Sequence, residues 1–251
     1  MPNISEAERE RILAATVQIR LQAPLLDETG QPVLIENNGQ WHSLETEARG
    51  LGTLVQMGDR VVVVTHDHWG ELLETAVTAQ FFNANGALLA EISGAVFRNL
   101  LHYRDQGTLL LAAPPELAFL VGVTGNGREL AVGSRVFLTR HLPGYEVVEV
   151  AVATVVTERE GIPAYLLQTA DGTAVVPGDS GGGVWYEGQL AGNLWRNQAR
   201  ETVATTGADT TISQTVTDKS VAAAFTAVME KIQPGDLVGE VQAERGEGVR
   251  P

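Results

Sequence analysis

From residue 50 onward, short apolar or alternating runs follow one another with turn signals between them, and this pattern limits the chain to an antiparallel β architecture. Leu51-Gly52-Thr53-Leu54-Val55, then Met57-Gly58-Asp59, then Arg60-Val61-Val62-Val63-Val64 read as a strand, a tight turn and a buried strand. Further runs lie at 76–82, 87–97, 108–113, 117–123, 135–139, 146–156, 164–169, 174–176, 183–186 and 189–195. Asn85-Gly86, Pro114-Pro115, Gly125-Asn126-Gly127, Pro143-Gly144 and Asp171-Gly172 punctuate them. Many short strands at close spacing predict an all-β barrel or sandwich rather than βαβ units.

The two ends of the chain read differently. Ser5-Glu6-Ala7-Glu8 fits a capping box, with a serine cap and a glutamate three residues on, and predicts a helix from about Glu6 to Ala15. Thr16-Val17-Gln18-Ile19-Arg20-Leu21 alternates as a half-buried strand does. Residues 24–48 are polar and turn-rich, with Asn37-Asn38-Gly39 a hairpin or loop tip. Near the other end, Val221, Phe225, Val228 and Ile232 mark one helical face, with Asp218 as N-cap and Pro234-Gly235 as the stop. The glycine-rich polar stretch after it reads as a frayed tail.

Composition narrows the function classes. A net charge of −14 disfavours nucleic acid and anionic membrane surfaces as partners. Lys219 and Lys231 are the only lysines. There is no cysteine, so the fold rests on its core, and neither a thiolate nucleophile nor a cysteine-based metal site is possible. No apolar run approaches membrane-spanning length. The first ten residues carry no basic n-region or apolar h-region, and the expected location is cytoplasmic.

The chemistry is concentrated in Gly178-Asp179-Ser180-Gly181-Gly182, between an apolar run and Val184-Trp185. A serine between glycines can present its hydroxyl on a sharp turn while neighbouring backbone N–H groups converge on one point. Acyl transfer needs that geometry: a nucleophile and an oxyanion hole in one loop.

Pro177-Gly178-Asp179-Ser180-Gly181-Gly182 after Leu166-Leu167-Gln168-Thr169 resembles the nucleophile segment of trypsin/chymotrypsin-like serine peptidases. Gly183 stands where that family usually has proline. Gly50-Leu51-Gly52-Thr53 resembles the Gly-x-Gly-Thr segment leading into the strand before the family's catalytic histidine. That strand usually ends in Thr/Ser-Ala-Ala-His. Here it ends in Thr65-His66-Asp67-His68, so matching the threonine places the family histidine at His68, with His66 and Asp67 where alanines are usual. His68 is favoured over His66 as the base. Asp105, the only aspartate between His68 and Asp171, precedes Gln106-Gly107-Thr108-Leu109-Leu110-Leu111 and resembles the family's Asp-x-Ala-Leu-Leu segment. The order His, Asp, Ser is the trypsin-like one.

The resemblance implies a two-barrel protein of all-β class. Residues 1–15 would be an N-terminal helical extension, 16–120 a first six-stranded antiparallel barrel carrying His68 and Asp105, 121–234 a second carrying Ser180 and ending in a C-terminal helix, and 235–251 a flexible tail. It implies a serine endopeptidase working through an acyl-enzyme, without metal or organic cofactor. His68 is the base, Asp105 orients it, and the N–H groups of Gly178 and Ser180 bind the oxyanion. Ala174, with no carboxylate nearby, is expected at the base of the specificity pocket, which favours an apolar or small P1 residue; Trp195 and Arg196 are expected on its wall, where Arg196 would instead favour an acidic side chain. Equal cleavage of arginyl and leucyl substrates would count against that preference. The expected partner is a polypeptide substrate, and restraint of the enzyme is expected either from narrow specificity or from a regulatory protein. In many members a new amine, freed by a cut before Ile-Val, pairs with the aspartate before the nucleophile. Arg11-Ile12-Leu13 only faintly resembles such a site and falls in the predicted first helix, so Asp179 needs another partner: a backbone donor or an arginine.

Two other readings remain. Val64-Thr65-His66-Asp67-His68-Trp69-Gly70-Glu71 also resembles the Thr-His-x-His-x-Asp-His string of the metallo-β-lactamase superfamily, and His141-Leu142-Pro143-Gly144 its later His-Thr-Pro-Gly. That resemblance implies zinc, but Gly70 and Glu71 stand where Asp and His are needed, and no histidine follows His141. The other reading is a non-catalytic binding module on a protease-like barrel.

Overall fold

The computed structural model describes residues 4–70, 72–105, 107–120, 122–126, 128–141, 146–159, 162–169, 176–206 and 209–224. The chain begins with α1 (Glu6–Ala14), where Ser5 Oγ accepts the Glu8 N–H at 3.2 Å and satisfies one of the free donors of the first turn. Helix gives way to strand at the β-branched pair Thr16-Val17.

The first β unit contains β1 (Thr16–Pro24), β2 (Leu34–Asn37), β3 (Gln40–Ser43), β4 (Glu45–Met57), β5 (Arg60–Thr65), α2 (Leu72–Thr75), β6 (Thr78–Phe82), β7 (Leu88–Ser93), α3 (Gly94–Asn99), β8 (Leu101–Asp105) and β9 (Thr108–Ala112). Seven of these strands form one antiparallel sheet in the order β7-β6-β1-β4-β5-β9-β8, and β2 and β3 form a separate hairpin. Asn38 and Gly39 both take positive φ at the tip of that hairpin, as a two-residue turn with the right twist requires. Val17, Ile19, Leu54, Val63, Phe81, Leu109 and Leu111 fill the core of this unit.

The second unit is a closed six-stranded antiparallel barrel in the order β10-β11-β12-β15-β14-β13. Its strands are β10 (Arg135–Arg140), β11 (Glu146–Arg159), β12 (Ile162–Thr169), β13 (Gly183–Tyr186), β14 (Gln189–Thr206) and β15 (Asp209–Ala224). Val136, Leu138, Tyr165, Leu167, Val184, Ala222 and Ala224 pack inside it. A third apolar cluster joins the two units. In it, Ile12 of α1 packs with Val55, Val62, Val64 and Leu110 of the sheet and with Trp185 and Leu190 of the barrel.

Several expectations are corrected. Among the described residues the first unit is a seven-stranded sheet rather than the closed six-stranded barrel expected. The 87–97 run is not one strand: Ser93 Oγ accepts the Val96 N–H and starts α3. Among its described residues the 117–123 run forms no strand: Leu117 packs into the core of the first unit and Val123 makes an isolated bridge to Val55. Asp218 and Val221 do not open a helix but lie in β15, whose β-branched run from Thr210 onward pairs with both β12 and β14 and closes the barrel. The remainder of the expected C-terminal helix, and the tail after it, lie outside the described residues.

Candidate active site

The nucleophile loop is held to both units by backbone hydrogen bonds. Leu51 of β4 donates its N–H to Ser180 O at 2.7 Å, and Gly181 donates to Leu194 O of β14 at 2.8 Å. At Gly181, φ is +84° and an added Cβ would lie 2.0 Å from Leu51 O, so only glycine lets the loop come this close to β4. Thr65 at the end of β5 ties the same carbonyl, donating from Oγ1 to Leu51 O at 2.6 Å. At the position of the usual proline, a Cβ on Gly183 would meet Trp185 Nε1 at 2.7 Å and Thr53 Oγ1 at 2.9 Å, so that departure follows from the indole packed there.

Inside the loop the donors divide into two sets. Asp179, Gly181 and Gly182 donate their N–H groups to Val176 O, Leu194 O and Asp179 O. Those of Gly178 and Ser180 meet no acceptor among the described residues. Ser180 is partly exposed, and its Oγ lies 3.1 Å from His68 Nε2.

Asp179 is fully buried and its partners are both kinds the sequence called for. Its Oδ2 accepts from Arg140 Nε at 3.2 Å and from the Val176 N–H at 2.9 Å, and its Oδ1 accepts from the His141 N–H at 2.6 Å. Arg140, itself 2% exposed, supplies the cation. Ile12, the residue of the faint processing resemblance, is buried in α1 against the interface cluster.

The two histidines of the Thr65–His68 turn have different surroundings. His66 is 3% exposed, and neither ring nitrogen finds a hydrogen-bond partner among the described residues. Its ring stacks on Trp69 with centroids 4.2 Å apart and lies 3.9 Å from the His68 ring. Burial, and secondarily the charge of His68, hold the His66 pKa well below the ordinary imidazole value, so this ring is neutral. Burial also lowers the pKa of His68, with Asp67 acting in the opposite sense. The geometry thus brings His68, not His66, to Ser180.

Asp105 ends β8, and its backbone pairs with Thr108 of β9 across the turn. Its side chain lies outside the described residues, as do the side chain of Arg196 and all of Ala174. Trp195 is half-buried, with its ring against Gly107. Four residues with no assigned role in the sequence line this region: Arg140, Asp67, Asn193 and His141. His141 Nε2 lies 2.9 Å from Gln18 Nε2 of β1; because Gln18 Oε1 accepts from Arg20, the Gln18 amide nitrogen is the donor. These partners are 38 to 123 residues apart, and no local spacing signals them.

Among the described residues no three His, Asp or Glu side chains converge as a metal site. The two antiparallel β units also lack the alternating α and β layers that the zinc-hydrolase resemblance implies.

The fold is that of the trypsin-like serine proteases: mostly antiparallel β, with the histidine turn from one unit facing the serine loop of the other. Among solved structures it is similar to an HtrA-type protease, AlgW, determined with a decapeptide. The TM-score is 0.56 at 14% identity over 90% of this chain and 65% of that one, so this chain spans just under two thirds of the AlgW chain. It is also similar to the active form of the Rv3671c protease from M. tuberculosis, with a TM-score of 0.54 at 13% identity over 91% of this chain and 85% of that one. The sequence significantly matches no protein-family model and no curated protein.

Proposed function

We propose that this chain is a serine endopeptidase that hydrolyses polypeptides through an acyl-enzyme, with an apolar or small P1 residue. The observation that carries this reading is the 3.1 Å separation of His68 Nε2 and Ser180 Oγ, between loops contributed by two different β units. That distance lies within the range needed for direct proton transfer. His68 Nε2 takes the Ser180 hydroxyl proton as Oγ attacks the scissile carbonyl carbon. The tetrahedral oxyanion is received by the N–H groups of Gly178 and Ser180, which no other acceptor occupies among the described residues. The loss of one such donor typically raises a barrier by about 2.7–4 kcal/mol. His68 then protonates the leaving amine, the C–N bond breaks, and an ester on Ser180 remains for water to hydrolyse by the same base. Asp105 has the role of orienting His68 and stabilising its protonated form. Peptides bound to AlgW support the substrate class.

Mass spectrometry after exposure to a fluorophosphonate tests the assignment. The expected result is a single adduct on Ser180 in the native chain and in His66→Ala, and none in His68→Ala. Labelling lost in His66→Ala but kept in His68→Ala would transfer the base role to His66. A folded native chain that takes no label would favour the non-catalytic binding module.

A further inference from the structure

Asp67 stands beside the base, at a position where the family resemblance leads one to expect alanine, and it bonds away from its own turn. Its Oδ2 accepts the N–H of Gly107 at 2.9 Å, forty residues along the chain in the turn between β8 and β9. Gly107 is gripped from two more sides. Its carbonyl accepts from Asn193 Nδ2 at 2.9 Å, and with φ at +86° its open face lies against the Trp195 indole, where an added Cβ would come within 2.6 Å of Cδ2. Asn193 uses its other end on the same hairpin, its Oδ1 accepting from Thr108 Oγ1 at 2.8 Å. Asn193 and Thr108 are each 1% exposed, so these bonds are shielded from water, and a carboxylate acceptor strengthens the outermost one.

The bonds form a closed circuit. It runs from the histidine turn through Asp67 to Gly107, from Gly107 to Asn193 on β14, and along the backbone to Leu194. Leu194 O holds the Gly181 N–H, and the adjacent Ser180 returns to His68. A circuit of this kind fixes the separation of base and nucleophile, which belong to different β units, and holds the turn that follows Asp105 at the same point.

We propose that Asp67 is a positioning residue for the Ser180–His68 pair, acting through its bond to Gly107. The inference rests on the peptidase reading above. A dislocation of reacting groups by about an ångström costs on the order of 100-fold in rate without weakening substrate binding. Asp67→Ala is therefore expected to lower kcat by about 100-fold with KM little changed, because the bond to Gly107 is lost while the substrate cleft is untouched. Asp67→Asn retains an oxygen that accepts the Gly107 N–H and is expected to restore most of kcat. Amide hydrogen exchange at Gly107 should accelerate in the alanine variant and return toward native in the asparagine variant. If Asp67→Ala does not fold, Asn193→Ala opens the circuit on the other side of Gly107 and should show the same loss of kcat. Native kcat in a folded Asp67→Ala, or an asparagine variant as poor as the alanine one, would overturn the positioning role while leaving the peptidase reading intact. A native chain that neither labels nor cleaves would remove both.

Discussion

In the proposed mechanism His68 must be neutral to take a proton, and its neighbours decide over what pH range it is. Burial is the larger effect and favours the uncharged ring; the Asp67 carboxylate opposes it by favouring the imidazolium. Because burial outweighs the Asp67 charge, His68 stays neutral to lower pH than a free histidine, and the acidic limb of the kcat/KM profile of the proposed enzyme is expected below the ordinary value of 6.5. Replacing Asp67 with asparagine removes the opposing charge and keeps the acceptor. The sign is then fixed: without the negative charge the protonated ring is less stable, its pKa falls further, and the limb moves to still lower pH. A pH–rate profile of the two proteins checks this, and a limb that moved upward in Asp67→Asn would contradict it. His66 is not expected to contribute to this limb, since its ring is buried and stacked on Trp69 and its pKa is held well below the ordinary value.

At the level of elements, the loop proposed to bind the oxyanion is held in part by a buried ion pair between its own Asp179 and Arg140 at the end of β10. Both side chains are almost wholly buried, so loss of the arginine leaves the buried Asp179 carboxylate without its cation. Arg140→Met is expected to cost about 3–5 kcal/mol in urea denaturation and to reduce Ser180 labelling, because the Asp179 carboxylate also orients the chain at Val176 and His141. The double variant Arg140→Met, Asp179→Asn removes the stranded charge and should be more stable than the single one; equal stability would argue that the pair contributes little. The need for an arginine or backbone donor at Asp179 was legible in the sequence, but not which arginine, because the register of β10 against the loop is a property of the closed barrel. Other elements divide along the same line. The Val61–Val64 run reads directly as buried strand, and β5 is buried throughout except at Arg60. The spacing of Val221, Phe225, Val228 and Ile232 reads as helix, yet Val221 lies in β15, since pairing to β12 and β14 outweighs a short local period. His68 and Ser180 were placed by motif and chain order; Asp67, Arg140 and Asn193 act through partners that only the tertiary fold brings near.

For the whole molecule, the His68–Ser180 contact on which the proposed function rests exists only while the two β units stay docked. The contact surface has an apolar part and a polar part. Ile12, Val55, Val62, Val64, Leu110, Trp185 and Leu190 form the first, and burial of such side chains contributes roughly 1.5–3 kcal/mol each. The polar part includes the backbone bond from Leu51 N–H to Ser180 O at 2.7 Å and the Gly107 carbonyl, which accepts from Asn193 Nδ2 at 2.9 Å. Helix α1 contributes to the apolar part through Ile12, so the segment ahead of the first strand belongs to the joint between the units. Separation of the units would expose the whole cluster and strand these polar groups, at a cost comparable with the stability of a domain. The units are therefore expected to unfold together, with loss of Ser180 labelling and loss of far-ultraviolet circular dichroism sharing one urea midpoint. Ile12→Ala, which opens a cavity in the joint, should lower both midpoints in step. Labelling that disappeared at distinctly lower urea than the dichroism would show the units parting before either unfolds, and would identify the joint, rather than the cores, as the element that limits catalysis.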